Sequence, residues 1–191
     1  MRNKSQNKII YVDPGKCLGC HSCEFSCALA HSSAKSLFDV EALKGAVSRT
    51  HVVKVGDSNV PMQCRHCEDA PCTKVCPTGS LRQATGLGSV SITEQSCIGC
   101  KLCTMVCPFG VISVEKKPDS DSSSATNNGV AMKCDLCNDW RKEKGETQTA
   151  CEQACPTQAI KLVDLYEYRT ARSKARAAEI ANAHKSIFFT F

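Results

Sequence analysis

Sixteen cysteines fall into four groups of four, with none left over: Cys17, Cys20, Cys23, Cys27; Cys64, Cys67, Cys72, Cys76; Cys97, Cys100, Cys103, Cys107; and Cys134, Cys137, Cys151, Cys155. Thiolates are soft ligands, and four of them satisfy the iron of an iron–sulfur cube. The first and third groups read C-x2-C-x2-C-x3-C, the spacing that holds [4Fe–4S] clusters. Three thiols come from one tight loop and the fourth from the segment that leaves it. The second group is C-x2-C-x4-C-x3-C and the fourth C-x2-C-x13-C-x3-C. The chain is therefore expected to hold four [4Fe–4S] clusters, with all sixteen cysteines as iron ligands. Zinc sites also use C-x2-C pairs, but zinc ribbons rarely add a third cysteine after two residues and a fourth after three.

A disulfide framework is the other use of so many thiols. Met1 to Ile10 has a basic start, no apolar stretch and no cleavage or twin-arginine signal, which argues against export. No stretch approaches the roughly 18 apolar residues of a membrane span. A reducing, cytoplasmic setting is expected, in which clustered thiols mean metal. Aromatic content is 5%, with one Trp and six Phe, so clusters must replace part of an ordinary core. The formal charge of +5 counts neutral thiols. Each cluster with four thiolates carries about −2, which would bring the loaded protein to about −3. Nucleic-acid binding is not expected, since no basic patch interleaved with aromatics accompanies the positive count.

The motifs repeat. Cys17, Cys20, Cys23 and Cys27 recur 80 positions later as Cys97, Cys100, Cys103 and Cys107, and Cys17-Leu-Gly-Cys20 matches Cys97-Ile-Gly-Cys100. This suggests duplication of a two-motif unit. Gly19 and Gly99 suit a backbone that curls close to a cluster with positive φ. Proline follows the last cysteine in Cys76-Pro77, Cys107-Pro108 and Cys155-Pro156, whereas Cys27 is followed by Ala28. A different exit geometry is expected at Cys27.

Short β-branched runs at Ile9–Val12, Val52–Val55, Val90–Ile92, Val111–Val114 and Ile160–Val163 read as strands. Short helices are expected near the last cysteines of the runs, as in Cys103–Cys107. Lys117–Gly129 reads as a polar surface loop without chemistry, and Asn138–Ala150 as a charged insertion carrying Trp140. Leu29–Pro61 gives the weakest signal. After position 163 the composition changes to a basic, Ala-rich segment with good helix propensity, ending in Ile187-Phe188-Phe189-Thr190-Phe191. The expected organisation is one four-cluster domain over 1–163 and a helical tail over 164–191. The tail, with its thin apolar face of Ala171, Ala175, Ala178 and Ala181, is expected to dock a partner or self-associate.

These runs, their order and the widened fourth run resemble the four-cluster ferredoxin-like subunits of bacterial redox complexes over roughly residues 9–163. The segments from Cys17 to Ser32 and from Gln63 to Cys72 resemble the iron–sulfur subunits of carbon monoxide dehydrogenase and of formate, tungsten aldehyde and benzoyl-CoA redox complexes. The resemblance implies an α+β fold of two nested dicluster ferredoxin-like modules with short strands and helices, plus the helical tail. It also implies ligand sharing, the first group pairing with the fourth and the second with the third. One cube would take Cys17, Cys20, Cys23 and Cys155, and a second Cys27, Cys134, Cys137 and Cys151. A third would take Cys64, Cys67, Cys72 and Cys107, and the fourth Cys76, Cys97, Cys100 and Cys103.

No hydrolytic triad, phosphate loop or dinucleotide fingerprint occurs, and Gly86-Leu-Gly88 alone is too weak to count. The expected function is a non-catalytic electron-transfer subunit. It would relay electrons between a catalytic oxidoreductase subunit (molybdenum or tungsten enzyme, hydrogenase or carbon monoxide dehydrogenase) and a second redox partner. A freely diffusing polyferredoxin, or an assembly protein with structural clusters, are the alternatives. The five histidines are expected to be solvated or structural, with His21 and His66 placed inside cluster loops.

Overall fold

The computed structural model of the chain describes residues 8–34, 36, 38–83, 88–116 and 129–188. Residues 117–128 of the expected polar loop Lys117–Gly129, and the end of the tail beyond 188, lie outside the described residues. The fold is α+β, 37% helical and 20% strand, and ends in a helix.

The strands form four separate antiparallel pairs, each two strands wide. β1 (Lys8–Val12) pairs with β8 (Ile160–Asp164), so the two ends of the cysteine-bearing region lie side by side, with Ile10 opposite Leu162 and Val12 opposite Ile160. β2 (His51–Val55) and β3 (Ser58–Met62) form a hairpin, closed by Gly56 and Asp57 with Gly56 at φ +56°. A two-residue turn needs that left-handed conformation. β4 (Leu81–Gln83) pairs with β5 (Val90–Ile92), and β6 (Ser113–Glu115) with β7 (Val130–Met132).

Short helices fill the rest. They are α1 (Ser22–Ala30), α2 (Val40–Leu43), α3 (Pro71–Lys74), α4 (Leu102–Val106), α5 (Asn138–Lys144) and α6 (Ala150–Gln153). The final helix is α7 (Leu165–Phe188). α1 packs on α6, and α3 on α4. The helices that carry the later cysteines of groups one and four thus meet, as do those of groups two and three. The 80-residue repeat extends to backbone detail. A single 3-10 turn at Pro14–Lys16 precedes Cys17, and its counterpart at Glu94–Ser96 precedes Cys97.

The core is built largely from the cysteines. Eight of them (Cys23, Cys27, Cys64, Cys72, Cys103, Cys134, Cys137 and Cys151) are buried, as are Ile10, Leu81, Val90, Ile112, Leu136 and Ile160. No Phe or Trp joins them among the described residues. One apolar cluster gathers Ile10, Cys23, Cys64, Cys134, Cys151 and Ile160, and a second gathers Cys72, Leu81, Val90, Cys103 and Ile112. Burying Ile10 and Ile160 is worth roughly 1.5–3 kcal/mol each, which helps fix β1 against β8.

α7 is a different kind of element. Tyr11 of β1 meets Tyr168 with ring centroids 5.2 Å apart, and the helix packs on β8. From Ala171 to Ala183 every residue of α7 is exposed. At about 1.5 Å per residue its 24 residues span about 36 Å. Among the described residues, no helix is long and apolar enough to cross a membrane.

Candidate iron–sulfur centres

Each cysteine loop is shaped by backbone that ordinary residues avoid. Gly19 and Gly99 lie at φ +69° and +65°, and His21 and Lys101 follow at +60° and +65°. In the second and fourth groups His66, Leu136 and Cys137 take φ of +46°, +61° and +50°. Left-handed turns of this kind direct successive N–H groups to one side, where they can donate to sulfur. His66 N donates to Cys64 Sγ at 3.5 Å and Leu136 N to Cys134 Sγ at 3.5 Å, while Ala131 N, on strand β7, donates to Cys97 Sγ at 3.4 Å.

Three of the proposed quartets line separate small cavities. Cys17, Cys20, Cys23 and Cys155 surround one, with Leu18, Val52 and Ile160. Cys64, Cys67, Cys72 and Cys107 surround another, with Ala70, Val90 and Ile112. Cys76, Cys97, Cys100 and Cys103 surround the third, with Leu81, Ile98 and Val114. The remaining four are also neighbours, since Cys27 lies close enough to raise the pKa of Cys134, Cys137 and Cys151. Every one of the sixteen expected site residues therefore faces such a grouping, and each grouping draws on two motifs.

Burial pushes the Cys23, Cys137 and Cys151 thiols up to about 12 and Cys72 to about 11, and raises Cys134. Four thiolates cannot share an apolar cavity unaided, because each ion repels the next and has left water. A cationic iron–sulfur core removes that penalty, and the all-thiol donor set fits it.

Two of the cysteines that end a run are treated differently. At Cys76 and Cys155 burial acts upward, but hydrogen bonds outweigh it and lower both thiols. These come from Thr78 Oγ1 at 3.7 Å and Thr157 Oγ1 at 3.7 Å, with Ala159 N on Cys155 at 3.2 Å. After Cys76, Cys107 and Cys155 the chain turns sharply through Pro to a left-handed residue: Gly79, Gly110 and Gln158.

Cys27 lacks that proline, and α1 runs on past it to Ala30. The extra turn brings in His31, a residue with no distinguishing mark in the sequence. Its Nδ1 lies 2.7 Å from the Cys27 carbonyl and 3.7 Å from Cys27 Sγ, and its Nε2 lies 3.0 Å from Asp135 Oδ1. Arg49 Nη1 pairs with Asp135 Oδ2 at 2.8 Å, and Arg49 N donates to Cys27 Sγ at 3.3 Å. Burial alone would lower His31, yet the bonds to Asp135 and Cys27 raise it to about 9. Asp135 is held well below the usual carboxylate range by His31 and Arg49, despite its burial.

The two histidines inside cysteine loops diverge. His21 is half exposed and pairs with Glu24 at 3.1 Å. His66 is buried, its Nδ1 accepts from Val90 N at 3.1 Å, and burial together with nearby Lys133 pushes it down to about 3. It is neutral.

A family model described as "4Fe-4S dicluster domain" matches residues 57–165, which hold groups two, three and four. The chain belongs to this 4Fe–4S dicluster family. It is 52% identical over 187 residues to an "Iron-sulfur protein" of Rhodospirillum rubrum, covering 97% of each chain. It is 36% identical over 179 residues to "Electron transport protein HydN" of Escherichia coli (strain K12), covering 90% of this chain and 98% of that one. It is 31% identical over 182 residues to "Formate hydrogenlyase subunit 2" of the same organism, covering 83% of this chain and 82% of that one. The 4Fe–4S family and the all-thiol cavities agree on the type of group these cysteines hold.

Proposed function

We propose that this chain is a non-catalytic electron-transfer subunit that carries four [4Fe–4S] clusters in series. The observation that carries the proposal is the sorting of sixteen cysteines into four groupings, each supplied by two motifs. The ligand sets are Cys17, Cys20, Cys23 with Cys155; Cys134, Cys137, Cys151 with Cys27; Cys64, Cys67, Cys72 with Cys107; and Cys97, Cys100, Cys103 with Cys76. When bound, a cluster supplies reversible one-electron chemistry. The residues do the rest. Buried thiols exclude water, loop N–H groups stabilise charge on sulfur, and the crossing cysteines hold neighbouring sites at short separation.

The outer sets are those of Cys17 and Cys97, because each contains an exposed cysteine, Cys20 and Cys100 respectively. Each is bordered by an exposed apolar residue, Leu18 at one and Ile98 at the other, and the repeat places exposed Phe25 and Met105 at matching positions of α1 and α4. Electrons would enter at one and leave at the other. One partner would be a catalytic oxidoreductase subunit and the other a second redox protein. The names of the HydN and formate hydrogenlyase relatives support that setting. The exposed α7 is the element best suited to dock such a partner or a second copy, and the thiol chemistry suits a reducing compartment such as the cytoplasm.

The test is iron and acid-labile sulfide per chain after anaerobic purification. About sixteen of each is expected from four cubes. About eight would reduce the chain to a two-cluster carrier, and zinc without sulfide would reject the reading.

A further inference from the structure

Lys133 is the most deeply buried charged side chain described, 2% exposed, and stands directly before Cys134. Its ammonium donates to the carbonyl of Val90 and, at 3.0 Å, to that of Cys134. Val90 lines the cavity of Cys64, Cys67, Cys72 and Cys107, while Cys134 belongs to the grouping of Cys27, Cys137 and Cys151. The ammonium therefore lies at the seam between the two inner cysteine sets. No carboxylate pairs with it among the described residues. The nearest candidate in sequence, Asp135, is committed to His31 and Arg49. The neighbouring His66 imidazole is neutral and offers no negative charge.

A buried cation without a counter-ion is costly, and two carbonyl dipoles compensate it only partly. The anions that can balance it are the thiolate-ligated sites on either side, each about −2 when oxidised. The geometry points to Lys133 as the fixed cation that sets the reduction potential at the two inner cysteine sets and eases electron passage between them. This inference rests on the cluster-carrying reading above. One added electron takes a site from about −2 to about −3, with no bond made or broken and no proton moved. A fixed positive charge nearby favours the more negative state, so it raises the potential. The Cys72 thiol feels the same charge, which opposes the rise caused by burial. Lys133 acts through the field and is a positioning residue.

The experiment compares Lys133→Met, Lys133→Gln and Lys133→Arg with the wild-type chain, all purified anaerobically with clusters in place. Potentiometric titration is followed by electron paramagnetic resonance, and iron is counted in each sample. Met and Gln should keep wild-type iron. At a fixed potential, the reduced-to-oxidised ratio of at least one inner site should fall tenfold or more, equivalent to about 59 mV for a one-electron couple. Arg should stay near wild type. Unchanged potentials in Met and Gln would overturn the inference, as would an equal shift in Arg. Loss of iron in all three would assign Lys133 to assembly and also overturn it. A wild-type chain short of iron would instead overturn the underlying four-cluster reading, before any variant is considered.

Discussion

The His31 imidazole bonds the Asp135 carboxylate at 3.0 Å across 104 positions, tying the helix that carries Cys27 to the loop that carries Cys134 and Cys137. Only Cys27, of the four run-ending cysteines, lacks a following proline, and only there does the helix continue far enough to deliver such a residue. The sequence departure at Ala28 thus has a structural consequence, an ion-paired brace of His31, Asp135 and Arg49 beside one cysteine set.

That brace makes stability depend on pH. His31 is raised from its ordinary 6.5 to about 9. Its contribution is complete below pH 6.5 and is lost as pH rises through 9. The shift corresponds to about 3 kcal/mol. At about 2–4 °C per kcal/mol for a chain of this size, His31→Gln should melt about 6–12 °C below wild type at pH 6. The two melting curves should converge above pH 9. Thermal scans of visible cluster absorbance between pH 6 and 10 measure this, and a constant gap across the range would be inconsistent with the brace.

Crossed ligation has a direct genetic signature. Cys155→Ala should damage the site of Cys17, Cys20 and Cys23 and spare that of Cys134, Cys137 and Cys151. Cys27→Ala should do the reverse. Iron counts near twelve and loss of distinct resonance signals are expected in each case. If Cys155→Ala instead damaged the site of Cys134, Cys137 and Cys151, and Cys27→Ala that of Cys17, Cys20 and Cys23, ligation would be within motifs rather than between them.

Two glycines should respond unequally to alanine. Gly56 lies at φ +56° with open space around it, so Gly56→Ala should cost about 1 kcal/mol of backbone strain. Gly129 lies at φ +91°, and a Cβ there would meet the Glu115 carbonyl oxygen at 2.6 Å. Backbone cannot step aside as a side chain can, so Gly129→Ala should cost clearly more, about 2 kcal/mol or above. Apparent melting temperatures of the two variants give the comparison.

The tail and the cluster body should separate cleanly. α7 contacts the body through β8 and the Tyr11–Tyr168 pair, the latter worth about 1 kcal/mol. Removing residues 165–191 should leave iron content unchanged and abolish co-purification of the partner or a second copy. A truncated chain that still recovers its partner from native extract would place docking elsewhere.

Much of this was legible in the cysteines, because metal ligation is written in local spacing. The strands at Ile9–Val12, Val52–Val55, Val90–Ile92 and Ile160–Val163 stand where the β-branched runs put them, within one residue at each end. The run at Val111–Val114 is displaced: Val111 and Ile112 are buried before the ladder begins at Ser113. β3 was hidden by Asn59 and Pro61, poor strand residues that a two-stranded pair tolerates because each strand has a free edge. β4 and β7 are three residues each, too short to show a period. The proposed charged insertion over Asn138–Ala150 holds α5 and leads into α6. The brace of His31, Arg49 and Asp135 and the burial of Lys133 carry no local signal, since each depends on contacts between distant segments.

Coulometric reductive titration of the full chain tests the four-cluster relay most directly. The account predicts about four electrons per chain, taken up and returned reversibly, one for each cysteine set. Uptake of two electrons or fewer, or uptake that cannot be reversed, would contradict it.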